Sequence, residues 1–301
     1  MLTRRKFLKS SLVAGAGLLA MPSIASNGFE KLTILHTNDL HCHFEPFPSN
    51  DPRYAGRGGM NRISAYVKKM RQLEPELLLL DSGDFSQGTP YYNFFKGEVI
   101  LKLMSEMGYM ASTIGNHEFD SGMESLGNVM QYATFPLICS NYDFDDTPLR
   151  GKIKKHMILE RKGIRIGIYG LGIELQGLVG KTLCGNTVYN EPLTVAQEQE
   201  DYLRNKEKCD FVICLSHLGF EYDTPKVCDI TLAKNTSFTD VILGGHTHTF
   251  LDSPIEILNK EKQPVVINQV GWAALMLGQL EFYFEKQKKS FFDYSKNKRV
   301  G

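Results

Sequence analysis

Apolar residues fall into two patterns along this chain. Short, branched-aliphatic runs occur at Leu32–His36, Leu77–Asp81, Ala111–Ile114, Leu137–Ser140, Ile164–Gly170, Phe211–Ser216 and Val241–Leu243 and predict strands. Between them, apolar positions recur at helical spacing in Met60–Leu73, Phe94–Met107, Ser121–Tyr132 and Thr194–Lys206. Strands alternating with helices are the mark of an α/β protein. Beyond Pro264 the pattern turns to strand: Val265–Val270, then Leu280–Phe284, where Leu280, Phe282 and Phe284 alternate to one face. Lys286–Lys289 reads as a charged hairpin turn before a last strand through Phe291 and Tyr294. No internal repeat or low-complexity linker interrupts this order, so one domain of about 270 residues is expected.

The first residues break the pattern. Residues 1–25 carry Arg4, Arg5, Lys6 and Lys9 and no acid, then the apolar run Leu12–Met21, then Pro22 and the small residues Ser23 and Ala25. Basic, apolar and small residues in that order make an export signal, and the run is about half as long as a bilayer-spanning helix needs. Thr3-Arg4-Arg5-Lys6-Phe7-Leu8-Lys9 resembles the twin-arginine motif. That resemblance implies passage through the twin-arginine translocase, a periplasmic or secreted destination and no stable membrane anchor.

Composition narrows the class. The 301 residues hold 34 basic and 34 acidic side chains, so the zero net charge hides an asymmetry. Without its leader the chain keeps 30 basic against 34 acidic groups, a net −4, which argues against binding a nucleic acid duplex. Six scattered cysteines do not make a disulfide scaffold, and none is followed by arginine at the spacing of a Cys-x5-Arg phosphatase loop.

Polar residues of catalytic type gather just after the predicted strands, where open α/β sheets build their sites. The first strand leads into Thr37-Asn38-Asp39-Leu40-His41; in extended backbone, residues two apart share a side, so Asp39 and His41 would face one ion. Asp84 follows Gly83 at the next strand exit, either as a ligand or as a loop-capping carboxylate. Gly115-Asn116-His117-Glu118-Phe119-Asp120 offers an amide oxygen and a histidine with a carboxylate three residues on. Ser216-His217 and Gly244-Gly245-His246-Thr247-His248 end two further strands. His36, in an apolar strand, and His156, in a Lys-rich segment, read as structural; Cys42 reads as a space-filling residue, and Cys209 and Cys214 as small core residues. Pro52–Arg62, rich in glycine, reads as a rim loop or as a turn before a helix.

Asp39-x-His41, Gly83-Asp84, Gly115-Asn116-His117-Glu118, His217 and Gly245-His246-Thr247-His248 occur in the order of the calcineurin-like metallophosphatase superfamily. More narrowly, His36–Asp39 and Gly115–Asp120 resemble the catalytic domain of bacterial 5′-nucleotidases, and the resemblance covers almost all of residues 31–301. It implies an α/β fold, a four-layer α/β/β/α sandwich with two divalent ions (Mn, Zn, Fe or Co) at the strand ends. Carried over by position, Asp39, His41 and His248 would hold one ion, Asn116, His217 and His246 the other, and Asp84 would bridge them. A bridging hydroxide would attack phosphorus, Asn116 and His117 would contact the substrate phosphate, and Asp120 would orient His117.

The expected activity is hydrolysis of small phosphomonoesters, 5′-nucleotides foremost. The same family includes cyclic phosphodiesterases and thiosulfohydrolases, and an idle metal-binding subunit is the reading outside enzymes. Typical 5′-nucleotidases add a C-terminal nucleotide-specificity domain that this sequence does not show. A separate polypeptide supplying it is therefore an expected partner.

Overall fold

The computed structural model describes residues 29–285, 288–295 and 297–301. The export signal read at residues 1–25 and part of the turn at 286–289 lie outside the described residues. The strands are β1 (Phe29–Thr37), β2 (Leu78–Asp81), β3 (Ala111–Thr113), β4 (Leu137–Ile138), β5 (Tyr142–Asp143), β6 (His156–Arg161), β7 (Ile164–Leu171) and β8 (Val188–Tyr189). They continue as β9 (Phe211–Ser216), β10 (Val241–Leu243), β11 (Ile255–Leu258), β12 (Pro264–Asn268), β13 (Met276–Glu285), β14 (Lys288–Ser295) and β15 (Lys298–Arg299). One sheet runs β14-β13-β1-β2-β3-β4, with β15 paired to β13; the other runs β11-β12-β10-β9-β7-β6. β5 and β8 form a separate ribbon.

Side-chain alternation explains why two sheets stack. Along β1 and β2, Leu32, Ile34, Leu78 and Leu80 meet Ile166, Ile168, Phe211 and Ile213 of the other sheet in one buried cluster. The intervening residues Leu35, Leu77 and Leu79 point the other way, into a second cluster with Met60, Ile63, Val67, Ile100, Leu101 and Met104. Those last six lie on helices α1 (Met60–Leu73) and α3 (Glu98–Met107). Across the far sheet, Val212, Cys214 and Ile242 pack against Val195, Ala196, Leu232 and Ala233. Helices α6 (Pro192–Asp201) and α7 (Asp229–Asn235) carry that third cluster. Three cores between four layers give the helix/sheet/sheet/helix sandwich of the expected fold class, in a single domain. Parallel strands buried on both faces read as unbroken apolar runs, which is why they are visible in the sequence.

Element boundaries differ where backbone chemistry intervenes. The helix expected over Phe94–Met107 is two helices, α2 (Pro90–Phe95) and α3, separated at Lys96 (φ 54°) and Gly97 (φ 105°), both left-handed. The helix expected from Thr194 starts earlier, at Pro192, because the Glu191 side chain accepts from the backbone N–H of Leu193 and Thr194. It ends in a π turn over Tyr202–Lys206. Strands β6 and β11 are not among the expected ones; both are antiparallel edges of the second sheet, set among charged residues that mask their alternation. The remaining short helices are α4 (Met123–Val129) and α5 (Lys181–Cys184). His156 lies on β6, within 2.8 Å of the Gln199 amide, as a structural residue should. Among the described residues no helix is long and apolar enough to cross a membrane.

His36 is fully buried in β1, where its Nε2 accepts from the Asn268 amide at 2.7 Å. Burial lowers its pKa to about 3, so the folded protein takes up that proton later than the unfolded chain on acidification. The stability His36 contributes is therefore complete above about pH 6.5 and is lost as pH falls, by about 1.4 kcal/mol per unit. The urea midpoint should drop between pH 7 and pH 5, and a His36→Gln variant should show a shallower slope. Equal slopes would exclude this assignment.

Candidate metal centre

Strands β1, β2, β3, β9 and β10 are parallel to their neighbours in the ladders β1–β2–β3 and β9–β10, and their C-terminal ends lead into the five polar loops. The loops after β1 and β2 are joined by backbone bonds: Asp39 N–H to Gly83 O at 2.9 Å, His41 to Asp84 at 3.0 Å and Cys42 to Phe85 at 3.0 Å. Asp39 and His41 are not in extended backbone, contrary to the expectation from their spacing. Both lie in the left-handed region (φ 49° and 48°), and they reach a common side through that geometry instead. Asp84, His246 and His248 are left-handed too (φ 53°, 72° and 52°). Backbone in that region costs a non-glycine residue on the order of 1 kcal/mol or more, and five of the ligand-type residues adopt it.

Two clusters result. The potential ligand atoms of Asp39, His41 and His248 lie within 4.8 Å of one another, and so do those of Asp84, His217 and His246. Asn116 Oδ1 sits 2.9 Å from His246 Nδ1, which adds the amide to the second cluster. The backbone N–H of His246 donates to both carboxylate oxygens of Asp39, at 3.1 and 3.0 Å, and ties the clusters together. Gly245 lies between them: a Cβ there would stand 2.9 Å from His217 Nδ1 and 2.8 Å from Ser82 O. At Gly115 a Cβ would overlap the Asp84 carboxylate. All seven expected ligands are thus in one place. Cys42 is not among them; it is buried in the core beneath α1.

The donor set fits divalent cations. Nδ1–H of His41 donates to Gln87 O and that of His217 to Ser82 O, each at 2.6 Å, so both Nε2 lone pairs face inward. His41 Nε2 and His248 Nε2 are 3.1 Å apart, a repulsive pairing of lone pairs unless a cation or proton lies between them. His217 Nε2 is buried and completes no hydrogen bond, although Asp84 Oδ2 is 3.0 Å away. Burial opposes charge on His217, but the Asp84 carboxylate outweighs it and raises the pKa to about 10. A bound cation would replace that proton. Burial likewise opposes the Asp84 charge, and the imidazoles of His217, His41 and His117 hold its carboxyl well below the usual range.

His117 stands at the edge of these clusters. Its Nδ1 is 2.8 Å from Asp120 Oδ2, its side chain is 36% exposed, and its backbone N–H donates to Asp84 Oδ1 at 2.8 Å. The Asp120 hydrogen bond, against the effect of burial, raises its pKa to about 9.

A calcineurin-like phosphoesterase family model matches residues 32–250. The chain belongs to that family. It is 34% identical over 255 residues to the snake venom 5′-nucleotidase of Gloydius brevicauda, covering 80% of this chain and 40% of that protein. To the human 5′-nucleotidase it is 30% identical, covering 86% and 45%. The crystal structure of a 5′-nucleotidase precursor from Thermus thermophilus superposes with a TM-score of 0.80 at 28% identity, over 90% of this chain and 55% of that one. The chain therefore spans about half the length of these relatives.

Two further residues shape the site in roles that the sequence does not reveal. Glu118 is buried and accepts from the backbone N–H groups of Asp84 (2.9 Å), Gly115 (2.7 Å) and Ser86 (3.2 Å), which clamps two ligand loops together. Burial and the Asp84 charge push its carboxyl up to about 8, against the pull of those donors. The signal available was a carboxylate beside two glycine-bearing strand exits, whose N–H groups needed an acceptor. Trp272 is the other, and it follows the exit of β12.

Proposed function

We propose that the chain hydrolyses phosphomonoesters, 5′-nucleotides among them, at a paired-metal centre. Asp39, His41 and His248 would hold one ion, Asn116, His217 and His246 the other, with Asp84 shared. The observation that carries this is the pair of clusters joined through Asp39 and His246, with the His117–Asp120 pair open to solvent beside them. When bound, two divalent ions supply Lewis acidity toward phosphate oxygens and a nucleophile active at neutral pH. The protein's own residues do the rest. Asn116 and His117 contact the phosphate, Asp120 fixes the His117 ring, and the left-handed loops preset the ligand positions before substrate arrives. The similarity to 5′-nucleotidases supports the nucleotide reading.

The domain spans residues 31–301, behind an export signal at 1–25 that takes the twin-arginine route to the periplasm or the exterior. The test is a substrate panel after chelation and re-addition of Mn²⁺ or Zn²⁺: AMP, an aryl phosphate, a cyclic nucleotide and a phosphodiester. Aryl phosphate should turn over with little preference for AMP. Strong selectivity for AMP would narrow the substrate to nucleotides, and inactivity with every metal would leave a metal-binding subunit.

A further inference from the structure

We infer that Trp272 is a positioning residue for the first metal cluster: its indole stacks on His248 and fixes the plane in which that imidazole presents Nε2. The inference rests on the paired-metal reading. The rings of Trp272 and His248 are 5.4 Å apart and nearly parallel, at 3°.

His248 needs such support. His41 and His217 are each oriented by an Nδ1–H bond to a backbone carbonyl, but among the described residues His248 has no such bond. Its side chain is also 38% exposed, whereas that of Asp39, 3.3 Å from its Nε2, is fully buried. Stacking is the contact that sets its orientation.

Trp272 is itself held from several sides. Asn38 Oδ1 accepts from Val270 N–H at 2.9 Å, Asn38 Nδ2 donates to Gly271 O at 2.6 Å, and Ala273 N–H donates to Asp39 O at 2.8 Å. The turn is therefore bolted to the backbone of Asp39, the carboxylate of the same cluster. Ala273 and Ala274 are both left-handed (φ 54° and 56°), a conformation two consecutive alanines do not adopt without cause. On its outer edges the indole meets His43, Phe47 and Tyr54 at 5.5, 5.9 and 6.3 Å. Phe47 belongs to a loop closed by Phe47 N–H to Arg57 O at 2.8 Å. The glycine-rich rim segment is thus a brace for Trp272.

Trp272 is the chain's one tryptophan, so its emission reports this place alone. Metal-free protein should be titrated with Zn²⁺ and followed by fluorescence and by calorimetry. Two binding events are expected, one of which changes the emission. Trp272→Leu should weaken one event by about 10–100-fold, the range found when a group orienting a ligand is lost, and leave the other in place. Trp272→Phe, which keeps a stacking ring, should restore most of that affinity. Two events in the parent with both unchanged in Trp272→Leu, or both weakened equally with no rescue by Phe, would overturn the inference alone. No binding event in the parent would overturn the paired-metal reading beneath it.

Discussion

Replacing His117 with glutamine is expected to lower kcat by about 10²–10⁴-fold while the protein keeps both metal ions, the range for losing a positioned acid–base group. His117 is not a member of either cluster; its backbone N–H donates to Asp84, and its ring packs edge-on against His41 with centroids 5.3 Å apart. Its Nδ1 is engaged by Asp120, so Nε2 is the nitrogen left to face a substrate oxygen. When protonated, that ring has two uses: it stabilises charge on phosphate, or it protonates the departing alkoxide. Leaving-group dependence separates them. A ring that protonates the alkoxide should matter little for a nitrophenyl phosphate and greatly for a nucleoside 5′-phosphate, whose leaving oxygen is far more basic. Equal losses on both substrates would leave charge stabilisation as its role. Asp120→Asn should cost less, about 10–100-fold, since it loosens the ring without removing it. Metal content measured alongside decides whether either variant acts through the ions.

How much of this is legible in the sequence depends on what each pattern reports. Buried parallel strands such as Phe211–Ser216 are found almost to the residue, because unbroken apolar runs report burial on two faces. The edges β6 and β11 are not, because the charged residues around them mask their alternation. All seven expected ligands meet in space, since each follows a strand end and parallel strands deliver their ends to one edge. Extended backbone is nevertheless the wrong reason for Asp39 and His41 to share a side. Side-chain spacing carries no information about φ, and the left-handed turn that aims both residues is visible only in three dimensions. The roles of Glu118, quoted only as part of a motif, and of Trp272 escape notice for a related cause. Their importance lies in which backbone or ring they touch, and those partners are distant along the chain: Asp84 for one, His248 for the other.

Asp84→Asn should be the most damaging single change to metal binding, because its carboxylate belongs to one cluster and its charge acts on the other. Its Oδ2 lies 3.0 Å from His217 Nε2, its Oδ1 accepts from His117 N–H, and its charge is felt at His41 of the other cluster. Asparagine keeps the shape but removes the negative charge that offsets repulsion between two neighbouring cations. Its amide oxygen can still accept from the His117 N–H, but its NH2 would then donate to the His217 Nε2 lone pair and compete with a cation for it. Affinity for at least one ion should fall by more than ~100-fold, the upper end for residues that only orient a ligand, and activity should fall with it. The fold itself should persist, because Glu118 still holds the loop through the Asp84, Ser86 and Gly115 N–H groups. Elemental analysis after dialysis reads the metal content, and circular dichroism reads the fold. Two ions retained at parental affinity would show that Asp84 is not the shared ligand, and the pairing of the clusters would then rest on the backbone bond from His246 to Asp39.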